Sequence, residues 1–364
     1  MRTLSLFAAL LLTFNTLTAA TPDRIRGAVD ADQRRAVAGH LHRLAQPQDD
    51  QGVLNPNTPI NGLMLVVKLA QDQQADLENL IREQQNPSSS EYQQWLTPEE
   101  FGDRFGLSRG DESKLTAWLA SQGLDVVTSR ARSSLEIHGT AEHVSMALGT
   151  QFHKFAVAGQ TRFAAVPEPS VPEALAEIVA GFVGLDDFPL ESTAKVVQPN
   201  FNLGTQHFLV PEDFATIYNV APLYAAGIDG TGVSIAVVGQ SALSLADLRA
   251  FRTRYGLPAA DPRLILYSGL DPGFTSSQIE GTLDVEWAGA IAPRATINYV
   301  YGTNAFSAMI FAVQQNISPI ISVSYGGCET DYSVPIFRSI GQQANARASP
   351  SWWRRATVEP LPAT

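Results

Sequence analysis

The 364-residue chain is 45% hydrophobic and 17% charged, a globular composition long enough for two domains. Its net charge of −11 argues against nucleic acid as a partner. Residues 1–20, MRTLSLFAALLLTFNTLTAA, join an early Arg2 to a short apolar run and small residues at Thr18 and Ala20. That pattern is a secretory signal peptide, cleaved after Ala20. No later stretch stays apolar for the ~18 residues a membrane span needs, so the expectation is a secreted, extracellular protein without a membrane anchor.

A polar stretch runs to about residue 60, and ordered elements are expected beyond it. GLMLVVKLA (62–70) reads as a strand and DQQADLENLIREQQN (72–86) as a helix ended by Pro87. LTPEEFGDRFG (96–106) and RGDESKLTAWLASQGL (109–124) add helix. DVVTSR and SSLEIHG alternate as two strands, AEHVSMALG is a short helix, and FHKFAVAGQTRFAAV turns as a hairpin at Ala158-Gly159-Gln160. The order β-α-β-β-α-β is that of a ferredoxin-like α+β unit, which VPEPSVPEALAEIVAGFVGLDDFP closes.

A polar linker follows, and a second pattern begins near Phe208. GVSIAVVGQ (232–240), RLILYSG (263–269), TINYVYG (296–302) and PIISVSYG (319–326) are apolar runs rich in β-branched and aromatic residues. Helical stretches at about 244–255, 278–291 and 304–315 separate them, which implies a parallel α/β sheet. The Gly230-Thr231-Gly232 triplet precedes its strand, so it is a turn rather than a dinucleotide fingerprint.

Chemistry in this second unit is limited by what it lacks. All six histidines, His40, His42, His138, His143, His153 and His207, lie at or before residue 207. A triad built on imidazole inside the α/β unit is therefore excluded, as is an imidazole zinc site. Instead, IEGTLDVEWAGAIAP (279–293) places Glu280 and Asp284 one helical turn apart, about 5–6 Å between Cβ atoms. Leu283, Val285, Trp287, Ala288, Ala290 and Ile291 wrap most of that helix in apolar groups, whereas Glu286 lies well round it and is expected in solvent. Two neighbouring acids split their proton affinities and hold one proton between them, which suits a base working where imidazole is already protonated.

IEGTLDVEWAGAIAPRATINYVYG and IISVSYGGCE resemble the sedolisin, or serine-carboxyl peptidase, family in its kumamolisin-like branch, and EYQQWLTPEEFGDRFG resembles the activation prodomain of the same proteins. The resemblance covers most of residues 55–346. It implies a ferredoxin-like α+β prodomain followed by an incomplete subtilisin-like α/β domain, with Gly239-Gln240 where subtilisins carry the triad Asp. By resemblance Glu280 is the general base and Asp284 its orienting partner, while Ser324, Gly326 and Gly327 line a cleft that takes the peptide backbone as an added strand. The implied organisation is a signal peptide (1–20), a prodomain (21–195, core about 55–187), a linker (196–207), a partial peptidase domain (208–346) and an aberrant tail (347–364). The implied function is a zymogen of an acid-active serine-carboxyl endopeptidase acting on peptide or protein substrates, with the prodomain contacting the catalytic domain. A prodomain-based binding module that inhibits or chaperones related peptidases is the competing class. An α/β carbohydrate hydrolase needs carboxylates on opposite sides of a sugar ring, which one helical turn supplies poorly.

The resemblance stops at Ala346. The family's oxyanion-hole Asp, in an Ala-Gly-Asp-Ser-Gly-type segment, and its nucleophilic Ser, in Gly-Thr-Ser, do not occur in the sequence, nor does its C-terminal calcium site, so the chain is expected to be inactive and to bind no metal. Read one base out of register, the degenerate codons of 347–364 permit Gly-Ile-Thr, then Val-Ala-Ala-Gly-Asp-Ser-Gly, and finally Cys-Asp, whose cysteine is a partner for the lone Cys328. The expectation is a one-base deletion or sequencing error near codon 347. Sequencing the gene across codons 340–365 tests it: the shifted frame should encode Gly-Asp-Ser-Gly, and its absence refutes the frameshift.

Overall fold

The computed structural model describes residues 21–192, 210–327 and 333–347. The signal-peptide assignment, Cys328, the linker 196–207 and the tail beyond Arg347 fall outside the described residues. The first unit runs β1 (Arg34–Ala36), β2 (Asp50–Val53), β3 (Pro59–Val67), α1 (Gln71–Glu83), α2 (Pro98–Phe105), α3 (Arg109–Ser121), β4 (Asp125–Thr128), β5 (Ser134–Thr140), α4 (Ala141–Leu148), β6 (Gln151–Val157), β7 (Gln160–Val166), β8 (Ser170–Pro172), β9 (Val179–Val183) and β10 (Glu191–Ser192). The second runs α5 (Pro211–Ile217), α6 (Ala221–Ala225), β11 (Ser234–Gly239), α7 (Leu245–Arg254), β12 (Arg263–Leu266), α8 (Gln278–Ile291), β13 (Thr296–Tyr301), α9 (Ala305–Gln315), β14 (Ile320–Ser322), β15 (Tyr325–Gly326) and α10 (Val334–Ala346). Together they make a mixed α/β protein with several sheets.

Local chemistry sets the helix starts. The Thr97 hydroxyl accepts from the Glu100 amide at 3.2 Å, the Glu100 carboxylate accepts from the Thr97 amide at 2.7 Å, and Pro98 opens α2 with a preset φ. Ser108 caps α3 in the same way, accepting from the Asp111 amide at 3.0 Å. The β6–β7 hairpin turns through Ala158 and Gly159, both at positive φ, which matches the twist of the strands.

The main sheet of the first unit has the order β4-β5-β3-β9, and each of its pairings is antiparallel. Its fourth strand is β9, not the hairpin. The hairpin joins β2 in a separate three-stranded sheet, and β1 pairs with β8, so the polar N-terminal stretch supplies two strands of its own. The alanine-rich run before β9 resembles helix in isolation, but only a short 3-10 turn at Glu173–Leu175 forms before pairing with β3 takes over.

Strand β3 is apolar at successive positions because both of its faces are covered. Leu63, Leu65 and Val67 enter the core shared with Leu115, Leu119 and Val144 of the first unit. Met64 and Val66 enter a second core with Phe306, Met309, Ile336 and Ile340. The α10 helix therefore lies against the first unit. The Ser133 hydroxyl donates to Gln343 Oε1 at 3.0 Å in a buried contact, and Gln84 Nε2 donates to the Ala346 carbonyl at 3.1 Å.

In the second unit the sheet order is β12-β13-β11-β14, and all three pairings are parallel. One face carries α7 and α8 over Val237, Ile297 and Tyr299, and the opposite face carries α9 over Ala236 and Val238. Replacing fully buried Leu65 by Ala removes side-chain volume from the core beneath β3. The expected loss is about 2–5 kcal/mol of unfolding free energy by urea denaturation.

Candidate active site

Helix α8 follows Ser277 and crosses the parallel sheet close to its middle strand, in contact with β11 and β13. The closeness depends on two glycines. A Cβ at Gly239, ending β11, would sit 1.9 Å from the Tyr299 hydroxyl, and one on Gly281 of α8 would sit 2.4 Å from it. The buried Tyr299 hydroxyl fills that space and donates to the Ser241 carbonyl at 2.9 Å.

Glu280 and Asp284 both turn toward the protein, Glu280 only 4% exposed and Asp284 partly buried. Asp284 Oδ1 accepts from the Ser324 hydroxyl at 2.9 Å. Its Oδ2 is buried with no hydrogen-bond partner among the described residues. Burial pushes the Asp284 carboxyl up to about 7, the Ser324 hydrogen bond works against that rise, and the neighbouring Glu280 charge adds to it. A carboxyl with that proton affinity is protonated for much of the range below neutrality and can hold a proton against a neighbouring acid.

The apolar wrap expected of α8 is incomplete. Ile279 is 65% exposed and Leu283 38%, because both face away from the sheet, while the α5 helix covers the far end through Phe214 against Trp287. Glu286, expected in solvent, is instead half-buried, and burial with Asp247 nearby raises its carboxyl to about 7. It lines a cavity of about 260 Å³ with Arg252 and Arg263.

Ser324 meets Asp284 through its side chain, a contact forty positions apart in sequence. Gly326 is half-buried and Gly327 exposed. The β15 strand carries an added strand: β10 pairs with it antiparallel, Glu191 opposite Gly326 and Ser192 opposite Tyr325. The last strand of the first unit thus occupies the edge expected to take a peptide backbone, with Gly327 outside the ladder. Sequence reasoning did not mark Leu190 or assign a contact to Gln240, whose side-chain amide donates to the Leu190 carbonyl and to the Ser277 hydroxyl, each at 3.0 Å. Among the described residues no group of three or more His, Cys, Asp or Glu side chains is placed to hold a metal ion.

Comparison with known proteins agrees with this layout. Residues 48–188 match the pro-kumamolisin activation domain. Sedolisin of Pseudomonas sp. (strain 101) is 24% identical over 287 residues, covering 73% of this chain and 48% of that protein. Xanthomonalisin of Xanthomonas sp. (strain T-22) is 27% identical over 271 residues, 67% of this chain and 32% of its own length. Kumamolisin of Bacillus sp. (strain MN-32) is 25% identical over 331 residues, 84% of this chain and 57% of its own. The chain thus spans from about a third to just over half the length of these curated relatives.

The first unit is thus similar to an activation domain, and it is followed by a parallel-sheet unit that carries the paired acids. By these matches the chain is similar to sedolisin-family proteins, kumamolisin among them, and its first unit to their activation domain.

Folding raises the Asp284 proton affinity above its ordinary value of 3.8, so the folded state binds more protons than the unfolded state between about pH 4 and 7. The stability this contributes is complete below pH 3.8 and is lost as pH rises toward 7. In urea titrations across that window, Asp284→Asn should flatten the decline relative to the unsubstituted chain, with Glu286→Gln measured alongside because its carboxyl is raised over the same range.

Proposed function

We propose that the chain is the exported precursor of an acid-active serine-carboxyl endopeptidase, with a ferredoxin-like prodomain and a subtilisin-like catalytic domain. The antiparallel order β4-β5-β3-β9 supports the first fold, and the parallel sheet with helices on both faces supports the second. The boundaries follow the sequence reading: leader 1–20, prodomain 21–195, linker 196–207, catalytic portion 208–346 and aberrant tail 347–364. The observation that carries the reading is the pairing of β10 on β15 beside the Asp284–Ser324 hydrogen bond. A peptide backbone lies next to a buried acid pair, in the extended geometry that strand addition gives a substrate.

In this reading Glu280 accepts the proton of an attacking hydroxyl, and Asp284, with its proton retained toward neutrality, orients Glu280 by sharing a hydrogen. One proton on two acids allows the pair to serve as base first and as acid when the leaving amine departs. Ser324 fixes the Asp284 carboxyl from the strand side, and Gly326 and Gly327 leave room for the peptide main chain. The β10 strand at the end of the prodomain fills the same edge and excludes other peptides until the chain is cut after it and the prodomain leaves, which makes the prodomain an inhibitor in cis. No Gly-Thr-Ser or Gly-Asp-Ser run occurs among the 364 residues, so this chain alone has no assigned nucleophile or oxyanion stabiliser and is inactive. Loss of an oxyanion stabiliser by itself costs about 10²–10³ in rate.

A second reading, a module that binds related peptidases in trans, is favoured by the closed core that the first unit builds from β3, α3 and α4. Hydrolysis of a denatured protein at acid pH separates the two. The 364-residue chain should show no turnover, and a frame-repaired chain should gain it and lose about 10²-fold or more with Glu280→Ala. Turnover by the unrepaired chain would overturn the inactivity. Failure of the repaired chain, together with inhibition of a sedolisin-type peptidase by residues 21–195, would favour the binding module.

A further inference from the structure

Gln240 stands at the end of the middle strand β11, 5% exposed, in the position where the family resemblance leaves a triad acid missing. Its Nε2 carries two hydrogens, and both are used. One goes to the Ser277 hydroxyl at the start of α8, within the second unit, and the other to the carbonyl of Leu190 at the end of the first unit. The Gln240 carbonyl in turn accepts from the Thr275 hydroxyl at 3.2 Å, which fixes the loop leading into α8. The amide is therefore held on its own unit by contacts that survive whatever lies in the cleft.

Leu190 directly precedes the two residues paired with β15, and it is 3% exposed in the core that holds Val238, Tyr267 and Tyr325. When the Leu190–Ser192 segment leaves, Gln240 keeps Ser277, but its second N–H faces an emptied apolar space. A buried donor without an acceptor is unfavourable, so the vacated position calls for another backbone carbonyl with an aliphatic side chain beside it.

We propose that Gln240 and its apolar surroundings form a subsite for extended peptides, which hooks the carbonyl of an aliphatic residue one place before the strand-paired positions; Leu190 is its resident occupant. The inference rests on the reading of β15 as a peptide-binding strand and adds a selectivity that the paired acids do not supply. A neutral amide donates equally at acid and neutral pH, so the hook operates over the whole range in which the acids titrate.

Hydrogen exchange on the full 364-residue chain tests this without any turnover. Gln240→Met keeps the volume and removes the donor. Exchange in the 186–192 segment should accelerate about fivefold, the worth of one ordinary hydrogen bond, while β3 and β5 keep their protection. Unchanged exchange at 186–192, or an equal rise in β3 and β5, overturns the hook. In a second arm, Leu190→Asp should free the edge. A synthetic Phe-Pro-Leu-Glu-Ser peptide should then slow exchange in 320–327 of that variant, and the same peptide with Asp for Leu should not. Equal effects of the two peptides, or none from either, overturn the aliphatic selectivity. Failure of the peptidase reading would appear separately, as absent hydrolysis by the frame-repaired chain, with these exchange results intact.

Discussion

Burial of both faces of β3 is the constraint on which the molecule is built. Leu63, Leu65 and Val67 point into one core and Met64 and Val66 into the other, so a single strand belongs to two hydrophobic interiors. A strand has only two faces, and period-two alternation assigns each to a different partner. The α9 and α10 helices find on this sheet the apolar cover that a parallel α/β layer needs on its outer side. The polar contacts Ser133–Gln343 and Gln84–Ala346 then fix how the two surfaces meet.

The placement of the acids follows from a second packing fact. Tyr299 occupies the gap between β11 and α8, and only because Gly239 and Gly281 carry no side chain there. That allows α8 to press its Glu280–Asp284 edge against the strand end, where Ser324 meets Asp284. The raised affinity of Asp284 is the electrostatic consequence of that burial, reinforced by a like charge one turn away. The position and the proton affinity of the acids thus derive from one close approach of a helix to a sheet.

Much of this was legible in the sequence because local signals agreed with tertiary demands. The capping box Thr97–Glu100, the Ala158-Gly159 turn and the apolar runs of the parallel strands each state their structure within a few residues. The paired acids were visible as an anomaly on an apolar helix. What escaped was set by distant partners. The VAGFV strand hides behind a helix-like PEALAEI run and is recruited by β3, and Glu286 lines a cavity with Arg252 and its neighbours, half-buried rather than left in water. The side-chain bond from Ser324 to Asp284 spans forty residues, and no periodicity announces it. Gln240 stands out for the acid it replaces, whereas its bond to Leu190 exists only once β10 lies along the edge.

The shared wall at β3 has a consequence for the life of the molecule. Detaching the first unit would bare Phe306, Met309, Ile336 and Ile340 to water at once, an oily scar of the sort usually seen when an obligate dimer is split. Any departure of the leading half would then be a step that temperature, dilution and solvent composition regulate as strongly as a cut in the connecting peptide. A severed but undissociated pair would persist as a non-covalent complex, its two pieces kept together by the grease between them.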